Sequence, residues 1–248
     1  MEIQHIDILL RLIIAHLLAD FVFQTDAIVK GKKNKGLGSV NFYLHLLFVG
    51  ILNYVLLAQW TNWYAPLILL IIHGIIDLAK IKLNKDNAWV YMGDQLLHIL
   101  SIVVVWFLLT ENSLVNLINQ SIEYYSWSNK YLTICIVYIL ISLPSGVLIG
   151  YLTKKWQEDL ATNGDESLKS AGKWIGMIER FLILSFILIN QWTPIGFLLA
   201  AKSVFRFGDL KGGKEQKKTE YILVGTLLSF SVAIFLGLFL RYLIKYLW

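Results

Sequence analysis

Apolar positions along this 248-residue chain run in long blocks rather than in the short alternations of a soluble fold. Eight blocks stand out, near Ile6–Phe23, Val40–Ala58, Tyr64–Ile81, Trp89–Thr110, Tyr131–Leu152, Trp174–Asn190, Ile195–Phe207 and Tyr221–Leu247. Most have roughly the 17–25 residues that a helix needs to cross a hydrocarbon core about 30 Å thick. The pattern predicts an all-α, polytopic membrane protein with about eight transmembrane segments. The seventh block is the shortest and reads as a tilted crossing or a re-entrant half-helix. The whole chain is 57% hydrophobic and 16% charged, well to the apolar side of ordinary soluble domains.

Basic residues then orient the segments. Lys30, Lys32, Lys33 and Lys35 follow the first block, and Lys80, Lys82 and Lys85 close the third. Lys154, Lys155, Lys169 and Lys173 follow the fifth, and Lys211, Lys214, Lys217 and Lys218 follow the seventh. The alternate connections are almost free of lysine. By the positive-inside rule the lysine-rich set is cytoplasmic, which puts both termini outside. Trp60, Trp63, Trp89, Trp174, Trp192 and Trp248 lie near block ends, where interfacial aromatics belong. Topology accounts for the basic loops without any nucleic-acid partner. The expected partner is the lipid bilayer, with homo-oligomerisation left open. The expected organisation is a four-helix region over 1–110, an external loop or interfacial helix over 111–130, and a second four-helix region over 131–248. The first block opens with Glu2 and carries Asp7 and Arg11, so it reads as a retained helix rather than a signal peptide. Asp7 and Arg11, four apart, read as a local ion pair.

Polar residues inside the apolar blocks carry the candidate chemistry. Four of the five histidines lie there, in HLLAD (His16–Asp20), FYLHLL (His45), HGIID (His73–Asp77) and DQLLH (Asp94–His98). In three of these stretches the spacing is i, i+4, which stacks histidine and aspartate on one helix face. Counted from the lysine-rich ends at 1.5 Å per residue, all seven side chains lie roughly 5–14 Å deep. Ionised aspartates within a membrane are costly, so pairing, water or a bound cation must offset them. Imidazole and carboxylate together form a common ligand set for zinc, manganese or iron. His16, Asp20, His45, His73, Asp77 and His98 are therefore candidate metal ligands, and Asp94 a candidate catalytic base or further ligand. His45 has no acidic neighbour at helical spacing, so taken singly it reads as a hydrogen-bonding link between helices.

A second polar set stands near the same side in the C-terminal half. Glu179 and Arg180 enter the sixth block, and Lys202 and Arg206 stand four apart in the seventh. Snorkelling is the plain account of the latter two. The alternative is a cationic wall in which Lys202, Arg206 and Arg180, with Glu179, hold an anionic substrate group; Glu179 reads equally as the counter-ion of Arg206. The lone Cys135 offers no disulfide, and the chain has no Gly-rich phosphate loop, GxSxG or HExxH.

HLLADFVFQTD, HGIIDLAK and DQLLH, followed by AGKWIGMIERF, AAKSVFRFGDL and TEYILVGTLLSF, resemble the bacterial membrane family known as domain of unknown function 3307, in its longer form. The resemblance implies a bacterial cytoplasmic membrane and no assigned activity. A looser likeness, confined to intramembrane HxxxD boxes, is to bacterial inner-membrane proteins described as metal-dependent hydrolases. The expectation is a cytoplasm-facing intramembrane His/Asp site. Its leading use is metal-dependent hydrolysis of a lipid-linked or membrane-proximal substrate. The rival is a proton- or metal-coupled transporter, which requires a polar path into the outer half of the bundle.

Overall fold

The computed structural model describes residues 5–110, 127–156, 166–204 and 213–247, and among them every regular element is helical. In chain order these are α1 (His5–Leu17), continued by a π-helical turn (Leu18–Phe23), α2 (Asp26–Lys35), a 3₁₀ turn (Gly36–Gly38), α3 (Val40–Leu57), α4 (Tyr64–Leu83) and α5 (Ala88–Thr110). There follow α6 (Trp127–Ile141), α7 (Leu143–Leu152), α8 (Glu166–Leu188), α9 (Thr193–Val204) and α10 (Gly213–Leu247). Among the described residues five stretches are long and apolar enough to cross a membrane: α3, α4, α5, Asn129–Leu152 and Thr219–Lys245. Helices also occupy the three other apolar blocks. Residues 111–126 of the expected external segment lie outside the described residues. The chain divides into two compact units between Ile136 and Val137.

In the first unit α1, α3, α4 and α5 close a ring in which α1 and α4 each pack against both α3 and α5. The ring follows from stripes at i, i+4 spacing on each helix, with one i, i+3 step at the end of the α5 stripe. Ile8, Leu12 and His16 line the inside of α1, and His45, Val49, Asn53 and Leu57 line α3; all are buried. Ala65, Leu69, His73 and Asp77 do the same on α4, as do Asp94, His98, Ile102 and Val105 on α5. The stripes align, so the bundle interior is polar at one end and apolar at the other. Ile8, Leu12, Leu57, Ala65, Leu69, Ile102 and Val105 form one packed cluster filling the apolar end. The outer faces are apolar too: Tyr43, Leu47, Ile51 and Val55 on α3 are exposed, as are Leu96, Leu100, Val104 and Leu108 on α5. Polar residues inside and large apolar ones outside suit a hydrocarbon solvent.

The lysine-rich connection after the first block is itself a helix, α2. Thr25 caps it, its Oγ1 accepting the Ile28 N–H. Ile28 and Lys32, one turn apart, form its buried face. Gly31 permits close packing, because a Cβ there would fall 1.9 Å from Asn41 Nδ2 on α3. That amide donates to the Ala27 carbonyl at 3.3 Å, tying α2 to α3. Gly36, with φ +51°, ends the helix in a backbone region that L side chains rarely adopt.

In the second unit the block expected as one helix is broken at Ser142, just before Pro144. The Arg180 guanidinium on α8 donates to carbonyls at the break. Its Nε donates to the Ile141 carbonyl, Nη2 to the Ser142 carbonyl at 2.7 Å and Nη1 to Ser229 Oγ at 3.0 Å. Ile183 and Ile187 of α8 pack with Ile195, Phe230 and Ala233 in a separate core. Replacing Arg180 with methionine takes this donor from the buried Ile141 carbonyl, at about 1–3 kcal/mol, and leaves the half-buried Ser142 carbonyl only the longer bond from Gly146 N–H at 3.4 Å. A clear drop in the thermal unfolding temperature in detergent is the expected result. An unchanged temperature would mean that the guanidinium does not brace the break.

Candidate intramembrane metal centre

The polar end of the first unit brings all seven predicted intramembrane His/Asp residues together. The π-helical turn sets the position of Asp20. In such a turn the backbone hydrogen bonds run to i+5, which widens the helix and redirects its side chains. Asp20 accordingly does not hydrogen-bond to His16, whose Nδ1 stands 3.8 Å from Asp20 Oδ2. Its Oδ1 faces across the bundle, 3.5 Å from His45 Nε2 and 3.4 Å from His73 Nε2. Those two nitrogens lie 2.9 Å apart, and Gln24 Nε2 reaches His45 Nε2 at 3.0 Å. His45, the histidine without an acidic neighbour on its own helix, is thus at the centre of the cluster.

Asp77 and Asp94 have partners of a kind that the linear pattern did not give them. Lys32 Nζ of α2 donates to Asp77 Oδ2 at 2.5 Å, with both side chains only 7% exposed. Lys80 Nζ of α4 donates to Asp94 Oδ2 at 2.5 Å. Both lysines fall in the group that orients the chain, and a topology signal does not distinguish a solvated lysine from a buried one. The spacing of Ile28 and Lys32 was the available clue. With these pairs made, three carboxylates face two ammoniums, and with neutral imidazoles the cluster keeps one negative charge. Asp20 is the aspartate of the three that holds no lysine.

The geometry fits a divalent cation. Three ligands at about 2.1 Å from zinc in a tetrahedron lie about 3.4 Å from one another. Asp20 Oδ1, His45 Nε2 and His73 Nε2 approximate that triangle, with Asp77 Oδ2 3.5 Å from His45 Nε2. Asp20 Oδ1 and the ring nitrogens of His16 and His98 are buried without a hydrogen-bonding partner. Buried polar atoms are nearly always satisfied in folded proteins, so such a group of exceptions marks a place built for something else. On the apolar side of the histidines, a cavity of about 10 Å³ is lined by His16, His73, His98, Asn53 and Ser101. It has room for one ion or one water molecule and for no organic substrate.

The second predicted set does not form a comparable centre among the described residues. Lys202 Nζ pairs with Glu179 Oε2 at 2.6 Å, and Arg180 is engaged at the α6–α7 break. Arg206 and Asp209 lie outside the described residues. The expected Asp7–Arg11 pair is present, at 2.8 Å.

An apolar-faced helical bundle with a buried His/Asp cluster defines a membrane-embedded protein with groups able to hold a metal ion. The same residues fall within a stretch that matches a known family model. Residues 8–126 match the family model described as protein of unknown function (DUF3307). The match takes in every residue of the His/Asp cluster and both lysines, whereas the three later motifs lie beyond it. Neither a curated protein nor a solved structure matches the chain.

Proposed function

We propose that the first unit is a divalent-metal centre in the bacterial cytoplasmic membrane, and that it hydrolyses a lipid-linked or membrane-proximal substrate. The observation that carries the reading is the triangle of Asp20 Oδ1, His45 Nε2 and His73 Nε2. Asp77 is the fourth group in reach, and Asp94, paired with Lys80, is the proposed base. A bound zinc or manganese ion supplies a polarised substrate oxygen and an acidified water at such a site. The chain's own part is to exclude bulk water, fix the imidazoles and accept the proton. The apolar cluster from Ile8 to Val105 closes the far end, so substrate meets the site at the lysine-bearing end, beside α2.

Cation transport is the second reading, favoured by Asn53 and Ser101 on the wall of the histidine cavity. The apolar layers beyond them argue against it, because an ion path needs polar groups to continue through. Elemental analysis of the detergent-purified full chain comes first. Stoichiometric zinc, manganese or iron, together with metal-dependent turnover of phosphoester or lipid substrates, is the expected result. Bound metal with no turnover, but with metal uptake into proteoliposomes, would favour transport. No metal, and no gain in thermal stability on adding any, would sink both forms of the metal reading.

A further inference from the structure

His16 and His98 are not needed by the triangle that Asp20, His45 and His73 form, yet they are among the best-buried polar residues of the chain, 3% and 1% exposed. No nitrogen of either ring makes a well-formed hydrogen bond; the nearest carboxylates stand just out of reach, Asp94 Oδ1 3.6 Å from His98 Nε2 and Asp20 Oδ2 3.8 Å from His16 Nδ1. Their rings gather round that of His73. His73 and His98 stack with centroids 4.1 Å apart, and His16 lies 5.1 Å from His98 and 6.0 Å from His73. One ring nitrogen from each of the three falls within 4.8 Å of the others. All three rings line the small cavity, and Asn53 on the same wall has a buried Oδ1 with no partner. A packed membrane interior does not leave that many acceptors unmet around an ion-sized space without cost.

From this arrangement we infer that His16, His73 and His98 form a second cation station on the apolar side of the first, opening onto the cavity beside Asn53 and Ser101. The station rests on the metal reading above. It differs in chemistry, being a neutral, all-imidazole set that selects zinc, cobalt or copper over magnesium or calcium. The two sets share His73, so they are alternative positions for one ion rather than a binuclear pair. An ion delivered from the carboxylate end can therefore shift about one helical turn deeper by exchanging Asp20 and His45 for His16 and His98. His73 holds it throughout.

Cobalt(II) titration of the metal-stripped full chain in detergent tests the station, read by visible absorption and by elemental analysis after desalting. In Asp20→Asn/His45→Gln the first set is dismantled. That variant is expected still to bind a single equivalent of cobalt, with a nitrogen-only spectrum, and to lose it when His16→Ala is added. Wild type binding cobalt while the double variant binds none would overturn the station and leave the first site standing. No cobalt in wild type would overturn both. Asn53→Asp gives an independent reading should the double variant not fold, because it places a carboxylate on the cavity wall. Cobalt affinity rising about tenfold or more supports the station, and unchanged affinity overturns it.

Discussion

Alanine at His73 is expected to strip the protein of bound metal altogether, a larger effect than any other single substitution in the cluster. The reason is positional. His73 Nε2 stands 2.9 Å from His45 Nε2 and 3.4 Å from Asp20 Oδ1, while its ring stacks on His98 at 4.1 Å. It is the side chain common to both histidine sets; the remaining group within ligand distance, Asp77, Asp94 and His98, has both its carboxylates held by lysines at 2.5 Å, so it does not replace them. Asp20→Asn removes one charged ligand and leaves the imidazoles, so it lowers zinc affinity without abolishing binding. The loss should exceed the 10–100-fold typical of second-layer partners, so about 100-fold or more. Competition against a fluorescent zinc chelator separates the two variants. Equal losses in both would mean that Asp20 and His73 act only together, and would remove the distinction between the two sets. Residual stoichiometric zinc in His73→Ala would show that the ion sits elsewhere.

Much of this site was legible in the linear pattern, for physical reasons. A histidine and an aspartate four apart in an apolar helix have few uses, and their common depth in four helices follows from counting residues at fixed rise. The stripes of α3, α4 and α5 then fix which face of each helix turns inward, since each helix has one face on which polar residues can avoid lipid. What the pattern hid is tertiary. Nothing in KGKKNK distinguishes Lys32 from its neighbours except Ile28 one turn earlier, and burial of its ammonium depends on where α2 lies across the bundle end. The redirection of Asp20 by the π-helical turn is equally invisible, because the residues Leu18–Phe23 suit an α-helix. Pro144 did signal the break in the fifth block. The run from Tyr131 to Leu152 is apolar enough to read through it, and only the Arg180 contacts reveal what holds the two pieces.

Methionine in place of Lys32 tests the other half of the site's logic, with opposite effects on stability and on metal binding. In the metal-free protein the ammonium neutralises Asp77 within a pair only 7% exposed at either side chain. Removing one partner of a buried pair leaves an uncompensated charge, at about 3–5 kcal/mol. The metal-free variant should therefore unfold at a clearly lower temperature. The same change raises the negative charge of the cluster by one and frees Asp77 Oδ2, already 3.5 Å from His45 Nε2, to ligate. Zinc should then restore most of the lost stability, and by linkage the variant should gain more from zinc than wild type does at any given concentration. Adding Asp77→Asn to the variant should restore metal-free stability and erase the extra response to zinc. Those measurements need only thermal scans with and without zinc. A Lys32→Met protein as stable as wild type without metal would mean that the Lys32–Asp77 contact contributes little. One destabilised but indifferent to zinc would separate α2 from the metal centre, and with it the idea that the lysine end is where the site opens.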